Sequence, residues 1–187
     1  MSASPPHRGE DLFALLGLAP TFQLDAAELE RSYLERSREV HPDRFASAPA
    51  GERVVALQRS MAVNEAYKTL KRPVKRAEYL LGRHGVAIGS NERLDPAFLA
   101  EVLELREELA EARQAGDLPK VTRLEKAMKG RHGAAVASLG PLFARVEASG
   151  GDERARALAD AKTTLILLRY LARYLEECEA ALDEDAA

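Results

Sequence analysis

Apolar residues recur at intervals of three and four almost throughout the chain after residue 10, and no stretch alternates strictly between apolar and polar. That is the period of a helix, and it predicts an all-α fold. A short first helix spans Asp11 to Leu16 and closes at Gly17. A second begins at Asp25, whose carboxylate suits an N-cap, with Glu28 three positions on in a capping-box-like arrangement. Leu29, Tyr33 and Val40 give it one apolar stripe. Pro42 ends it, because an interior proline loses an amide donor and clashes with the preceding turn. A third helix is expected from about Glu52 to Leu70, with Val54, Leu57, Met61 and Leu70 on its buried side and Tyr67 beside them. Pro73 stops it, and a short fourth helix follows from Val74 to Leu81. The two long helices should lie antiparallel across the loop from His41 to Gly51.

The stretch Gly82 to Asn91, with glycines at 82, 85 and 89, is the best linker. It sets the expected organisation: a first domain over 11–82, a linker over 83–94 and a second domain over 95–183. In the second, Asp95 caps a helix that reaches about Ala115 and ends at Gly116-Asp117. The next, Leu118 to Ala148, carries Val121, Leu124, Met128, Ala135, Leu139, Leu142 and Val146, with a kink expected at Gly140-Pro141. Gly150-Gly151-Asp152 turns the chain into a last helix bearing Leu158, Ala161, Leu165, Leu168, Ala172 and Leu175, followed by an acidic tail with a frayed end. Short connections force antiparallel neighbours, so these three helices read as a bundle.

Composition changes the picture in three ways. The 187 residues, 46% hydrophobic and 30% charged, provide for one large or two small domains with real cores. The one cysteine, Cys178, rules out an internal disulfide, and with four scattered histidines it offers no zinc or cluster site. No cofactor and no bound metal are expected, and a reducing compartment is. The N-terminal MSASPPHRGEDLF has no apolar run of a secretory leader, and Leu165 to Leu168 is far too short to span a bilayer. A cytoplasmic protein with no membrane partner follows. The net charge of −3 exerts no global pull on nucleic acid. It is unevenly spread: residues 1–90 hold 13 Lys/Arg against 11 Asp/Glu, and 91–187 hold 14 against 19. A slightly basic half joined to an acidic half suggests two units with different partners. The basic run Lys71, Arg72, Lys75, Arg76 reads as a solvated helix end in preference to a nucleic-acid patch.

The most informative tripeptide is His41-Pro42-Asp43, in the loop between the two long helices. Pro42 there fixes the chain direction and holds an imidazole and a carboxylate outward. A metal fragment lacks its further ligands, acid-base catalysis lacks a nucleophile, and a simple helix break with incidental neighbours is the remaining bland reading. Around the tripeptide stand Arg31, Arg36 and Arg38 before it, Arg44 and Phe45 after it, and Asn64-Glu65-Ala66-Tyr67 near the end of the next helix. This constellation, from Asp11 to about Leu81, resembles the J-domain, by which cochaperones stimulate DnaK-type ATPases. The resemblance implies that His41, Pro42 and Asp43 contact the chaperone, with Arg31, Arg38 and Arg44 adding electrostatic attraction. The catalysis then belongs to the partner, and this chain is not an enzyme.

The helix from Asp95 is more apolar than one stripe requires. Phe98, Val102, Leu105, Leu109 and Ala112 follow core spacing, which leaves Leu99 and Leu103 beside Glu104, Arg106 and Glu107. Two readings stand: a partner patch rimmed by charge, or a wide stripe packed between two helices. A J-domain followed by Ala77-Glu78-Tyr79-Leu80-Leu81, Phe98-Leu99 and Leu103-Glu104-Leu105-Arg106-Glu107-Glu108-Leu109 resembles the HscB (Jac) family over nearly the whole chain. The resemblance implies that the bundle binds an IscU-type iron–sulfur scaffold through Leu99, Leu103, Glu104, Arg106, Glu107 and Tyr170. It also implies an HscA-like chaperone as the partner of the first domain. Ala100 stands where bacterial relatives often have a larger apolar residue, Tyr170 where they tend to have Phe, and the Cys pairs of some eukaryotic members are missing. A J-domain protein with another client, or a helical adaptor or nucleic-acid-binding protein with a chance His-Pro-Asp, are the alternatives.

Overall fold

The computed structural model describes residues 11–89, 92 and 96–184. Asp95 as a cap, part of the 83–94 linker and the end of the acidic tail lie outside the described residues. Within them every regular element is helical: α1 Leu12–Leu16, α2 Ala26–Glu39, a 3-10 turn Pro42–Phe45, α3 Ala50–Lys71, α4 Pro73–Arg83, α5 Pro96–Gln114, α6 Leu118–Ala148 and α7 Gly151–Glu184. The chain divides after His84 into two compact units.

In the first unit α3 is the central element, touching α1, α2, the 3-10 turn and α4. Helix ends are set by local chemistry. Asp11 accepts the Phe13 and Ala14 amides at 2.9 and 3.1 Å, and its carboxylate also pairs with Arg83 of α4. Gly17 closes α1 at φ +67, a conformation that a Cβ would strain. Asp25 accepts the Glu28 amide at 2.7 Å. Arg72, in an extended conformation, ends α3 and begins α4, where Pro73 occupies the first turn and loses nothing by lacking a donor.

The buried face of α3 is Ala56, Val63, Ala66 and Leu70, against Leu12, Phe13, Leu16, Leu29, Leu80 and Leu81 in the unit's core. Val54, Leu57 and Met61, expected inside, are 54%, 51% and 61% exposed. The sequence holds two apolar stripes on this helix. Packing among several neighbours favours the one whose alanines let helix backbones approach closely. Arg76, expected in a solvated basic run, is 8% exposed: its guanidinium lies 4.9 Å from the centre of the Phe22 ring and donates to the Leu70 carbonyl at 2.6 Å.

The second unit is an α6–α7 hairpin with α5 laid against both. One end of its core joins Leu109 and Ala112 of α5, Val121 and Met128 of α6, and Leu171, Tyr174, Cys178 and Ala181 of α7. Further along, Leu139, Phe143 and Val146 of α6 and Ala157, Leu158, Ala161 and Leu165 of α7 are buried. Helix α6 continues through Pro141 as one element. Asp117 caps it, accepting the Lys120 amide at 2.9 Å.

Candidate functional site

The His-Pro-Asp segment sits between α2 and α3, and its conformation is locally specified. His41 is the N-cap of the 3-10 turn: its Nδ1 accepts the Asp43 amide at 3.3 Å, and the turn continues with Arg44 N–H donating to the His41 carbonyl at 3.0 Å. An accepting Nδ1 leaves Nε2 as the donor of a neutral ring. Pro42 fits the first position of the turn, where no amide is needed. The side chain of His41 is 54% exposed and that of Asp43 90%, with 3.6 Å between Nδ1 and Oδ2. The outcome is a fixed backbone that offers a ring N–H and a carboxylate to solvent. The expected plain loop is thus a short helical turn, because a proline at its first position favours helical φ.

Basic groups run along α2 to the turn. Arg31, Arg38 and Arg44 are exposed. Arg44 Nη1 donates to the Arg38 carbonyl at 3.3 Å, capping α2 with a cation where the helix dipole is negative. Arg36 pairs with Glu39 at 2.9 Å. Polar and aromatic contacts pin α2 to α3. The Tyr33 and Tyr67 rings stack at 4.1 Å, the Tyr33 hydroxyl donates to Asn64 Oδ1 at 2.9 Å, and the Tyr67 hydroxyl bonds the Glu30 carboxylate. Lys71 donates to the Tyr67 oxygen at 2.8 Å, which holds the ammonium above its usual pKa. Sequence reasoning missed these ties, since residues spaced for helix faces carry no mark of which aromatic meets which.

In the second unit Leu99 and Leu103 are 45% and 54% exposed, while Phe98, Val102 and Leu105 are half-buried and Leu109 is buried. At about 100° per residue, positions 99, 103 and 106 fall on one line of α5, and 104 and 107 lie round toward solvent. Glu104 and Glu107 are exposed. Arg106 is part-exposed, its Nη2 bonded to Glu177 Oε1 at 2.8 Å. Tyr170 of α7 stands edge-on to Phe98, with centroids 5.8 Å apart and planes at 87°. Beneath them Tyr174 donates to the Leu105 carbonyl at 3.1 Å, and burial pushes its phenol above the usual range. Arg131 of α6 grips Glu101 with two bonds of 2.6 and 3.2 Å, which holds that carboxyl below its ordinary pKa. The leucine stripe therefore rests on a helix fixed from both sides.

Among the described residues no group of three or more His, Cys, Asp or Glu could hold a metal ion, and no helix is long and apolar enough to cross a membrane. Cys178 is fully buried, its thiol pushed up to about 11 by desolvation.

Comparison with known proteins assigns both units. Residues 11–79 match the DnaJ domain, and residues 94–179 match the HSCB C-terminal oligomerisation domain. The structure of chaperone HscB from Vibrio cholerae is 31% identical, with a TM-score of 0.74 over 94% of this chain and 99% of that one. The crystal structure of the human co-chaperone protein HscB is 29% identical, with a TM-score of 0.76 over 94% of this chain and 83% of that one.

Proposed function

The chain belongs to the HscB family of J-domain cochaperones, and from that premise we propose that it stimulates ATP hydrolysis by an HscA-like, DnaK-type chaperone and delivers an IscU-type iron–sulfur scaffold to it. The observation that supports the first half most directly is the exposed His41 ring and Asp43 carboxylate on a backbone fixed by Pro42 and the Nδ1 cap. A fixed backbone that presents a carboxylate and a ring N–H to a cationic or polar site on the ATPase lowers the ordering cost of binding. Arg31, Arg38 and the other exposed cations of α2 speed encounter with an acidic surface. The second half rests on Leu99 and Leu103, exposed on a helix held from two sides and bordered by Glu104, Arg106, Glu107 and Tyr170.

In this reading the protein is a bivalent adaptor and performs no bond chemistry itself. The cluster stays on the scaffold as cargo. Linking the two contacts raises the effective concentration of scaffold at the chaperone, so modest affinities at each site suffice. We place this work in the cytoplasm, in keeping with a chain whose one cysteine is a buried thiol.

The deciding experiment is steady-state ATPase measurement with His41→Gln. The variant is expected to keep its melting temperature, since the ring is exposed, and to lose stimulation of the chaperone. Unchanged stimulation overturns the assignment. For the scaffold site, Leu99→Ala with Leu103→Ala should abolish scaffold binding in calorimetry while the circular dichroism melt stays within about 0.5 kcal/mol of the parent at each position.

A further inference from the structure

Glu177 lies on α7 two turns beyond Tyr170, and it reaches across to α5. Its Oε1 accepts from Arg106 Nη2 at 2.8 Å and stands 3.6 Å from Arg173 Nε. It is the anion between two cations, with its own side chain about one-third exposed. Arg106 shares a helical line with Leu99 and Leu103, so the direction in which its long side chain leaves α5 decides what happens to the apolar stripe. An untethered arginine lays its aliphatic stem along nearby apolar surface while keeping its head in water. Drawn toward α7 by Glu177, it leaves the leucines open, and its remaining N–H donors stay at the edge of the stripe.

We propose that Glu177 is a positioning residue for scaffold recognition: by holding the Arg106 guanidinium against α7 it keeps the Leu99–Leu103 stripe uncovered and aims the remaining Arg106 donors at a carboxylate on the scaffold. This rests on the reading of the α5 patch given above. Without Glu177, Arg106 and Arg173 face each other as like charges and Arg106 swings away from α7. The loss is one of preorganisation, and it acts only through Arg106.

A double-mutant cycle tests this, with scaffold binding measured by calorimetry for the full-length protein, Glu177→Ala, Arg106→Ala and the double variant. Glu177→Ala is expected to weaken binding about two- to five-fold, the range that one part-exposed ion pair supports, and to change the melting temperature little. In the Arg106→Ala background the same substitution should have no further effect. An equal loss in both backgrounds marks a general structural role and overturns the proposal, as does no loss in either. Leu99→Ala with Leu103→Ala separates the two levels of inference. If that pair abolishes binding while Glu177→Ala is neutral, only the positioning role falls. If the pair leaves binding intact, the patch itself is misassigned and the positioning role falls with it.

Discussion

Arg76 shows how one side chain escapes a sequence reading. Lys71, Arg72, Lys75 and Arg76 look alike as a basic run, yet only the last is buried, over a phenylalanine far away in sequence. Burial lowers its pKa, and its Nε has no hydrogen-bond partner among the described residues. The bond to the Leu70 carbonyl ties α4 to the last turn of α3. A charged hydrogen bond and a desolvated cation–π contact together contribute about 3 kcal/mol. Arg76→Ala should therefore lower urea-unfolding stability by that order, whereas Lys75→Ala should move it by less than about 0.5 kcal/mol. Cys178 and Tyr174 make a pH prediction. Both are acids that burial keeps protonated, so the folded state binds these protons more tightly than the unfolded state. The Cys178 contribution is complete below the ordinary thiol value of 9.0 and is lost as pH rises from there to about 11, whereas that of Tyr174 begins to fall only above the ordinary phenol value of 10.0. Melting temperatures measured across that window should fall, and Ellman's reagent should label Cys178 only once the protein unfolds.

At the scale of elements, much was legible. Proline and glycine placed most of the boundaries, and the period of three and four gave the helices of both units. The ambiguity lay in choosing between stripes on one helix. On α3, hydropathy alone selects Val54, Leu57, Met61 and Leu70, and of these only Leu70 is buried. Ala56, Val63, Ala66 and Leu70 are the ones that pack, because α3 is surrounded and close approach needs small side chains. On α5 the same ambiguity came from Leu99 and Leu103 beside a regular core stripe, and there the leucines are exposed. Fully buried Ala66 leaves no room for growth, so Ala66→Leu should destabilise by about 1–3 kcal/mol. Met61→Lys, on the exposed stripe, should stay within about 0.5 kcal/mol. Chemical denaturation of the two variants distinguishes the faces directly.

At the scale of the whole molecule, the family resemblance read from His41-Pro42-Asp43 and the leucine-rich helix agrees with the matches over both units. What no pattern of residues conveys is how the α5 patch is held: the Glu101–Arg131 grip and the Arg106–Glu177 tether join residues that only folding brings together. If the protein is a bivalent adaptor, a mixture of the two units severed after His84 should lose most scaffold-dependent ATPase stimulation at micromolar concentrations, even where each unit retains its own contact. Coupled ATPase assays of intact and severed protein measure this. The sealed thiol also has a practical consequence. With Cys178 out of reach, new cysteines at exposed positions such as Glu35 and Ala137 would be the sole sites taking a maleimide dye. A donor and acceptor placed there would let energy transfer follow the distance between the two units through an ATPase cycle, on an otherwise native background.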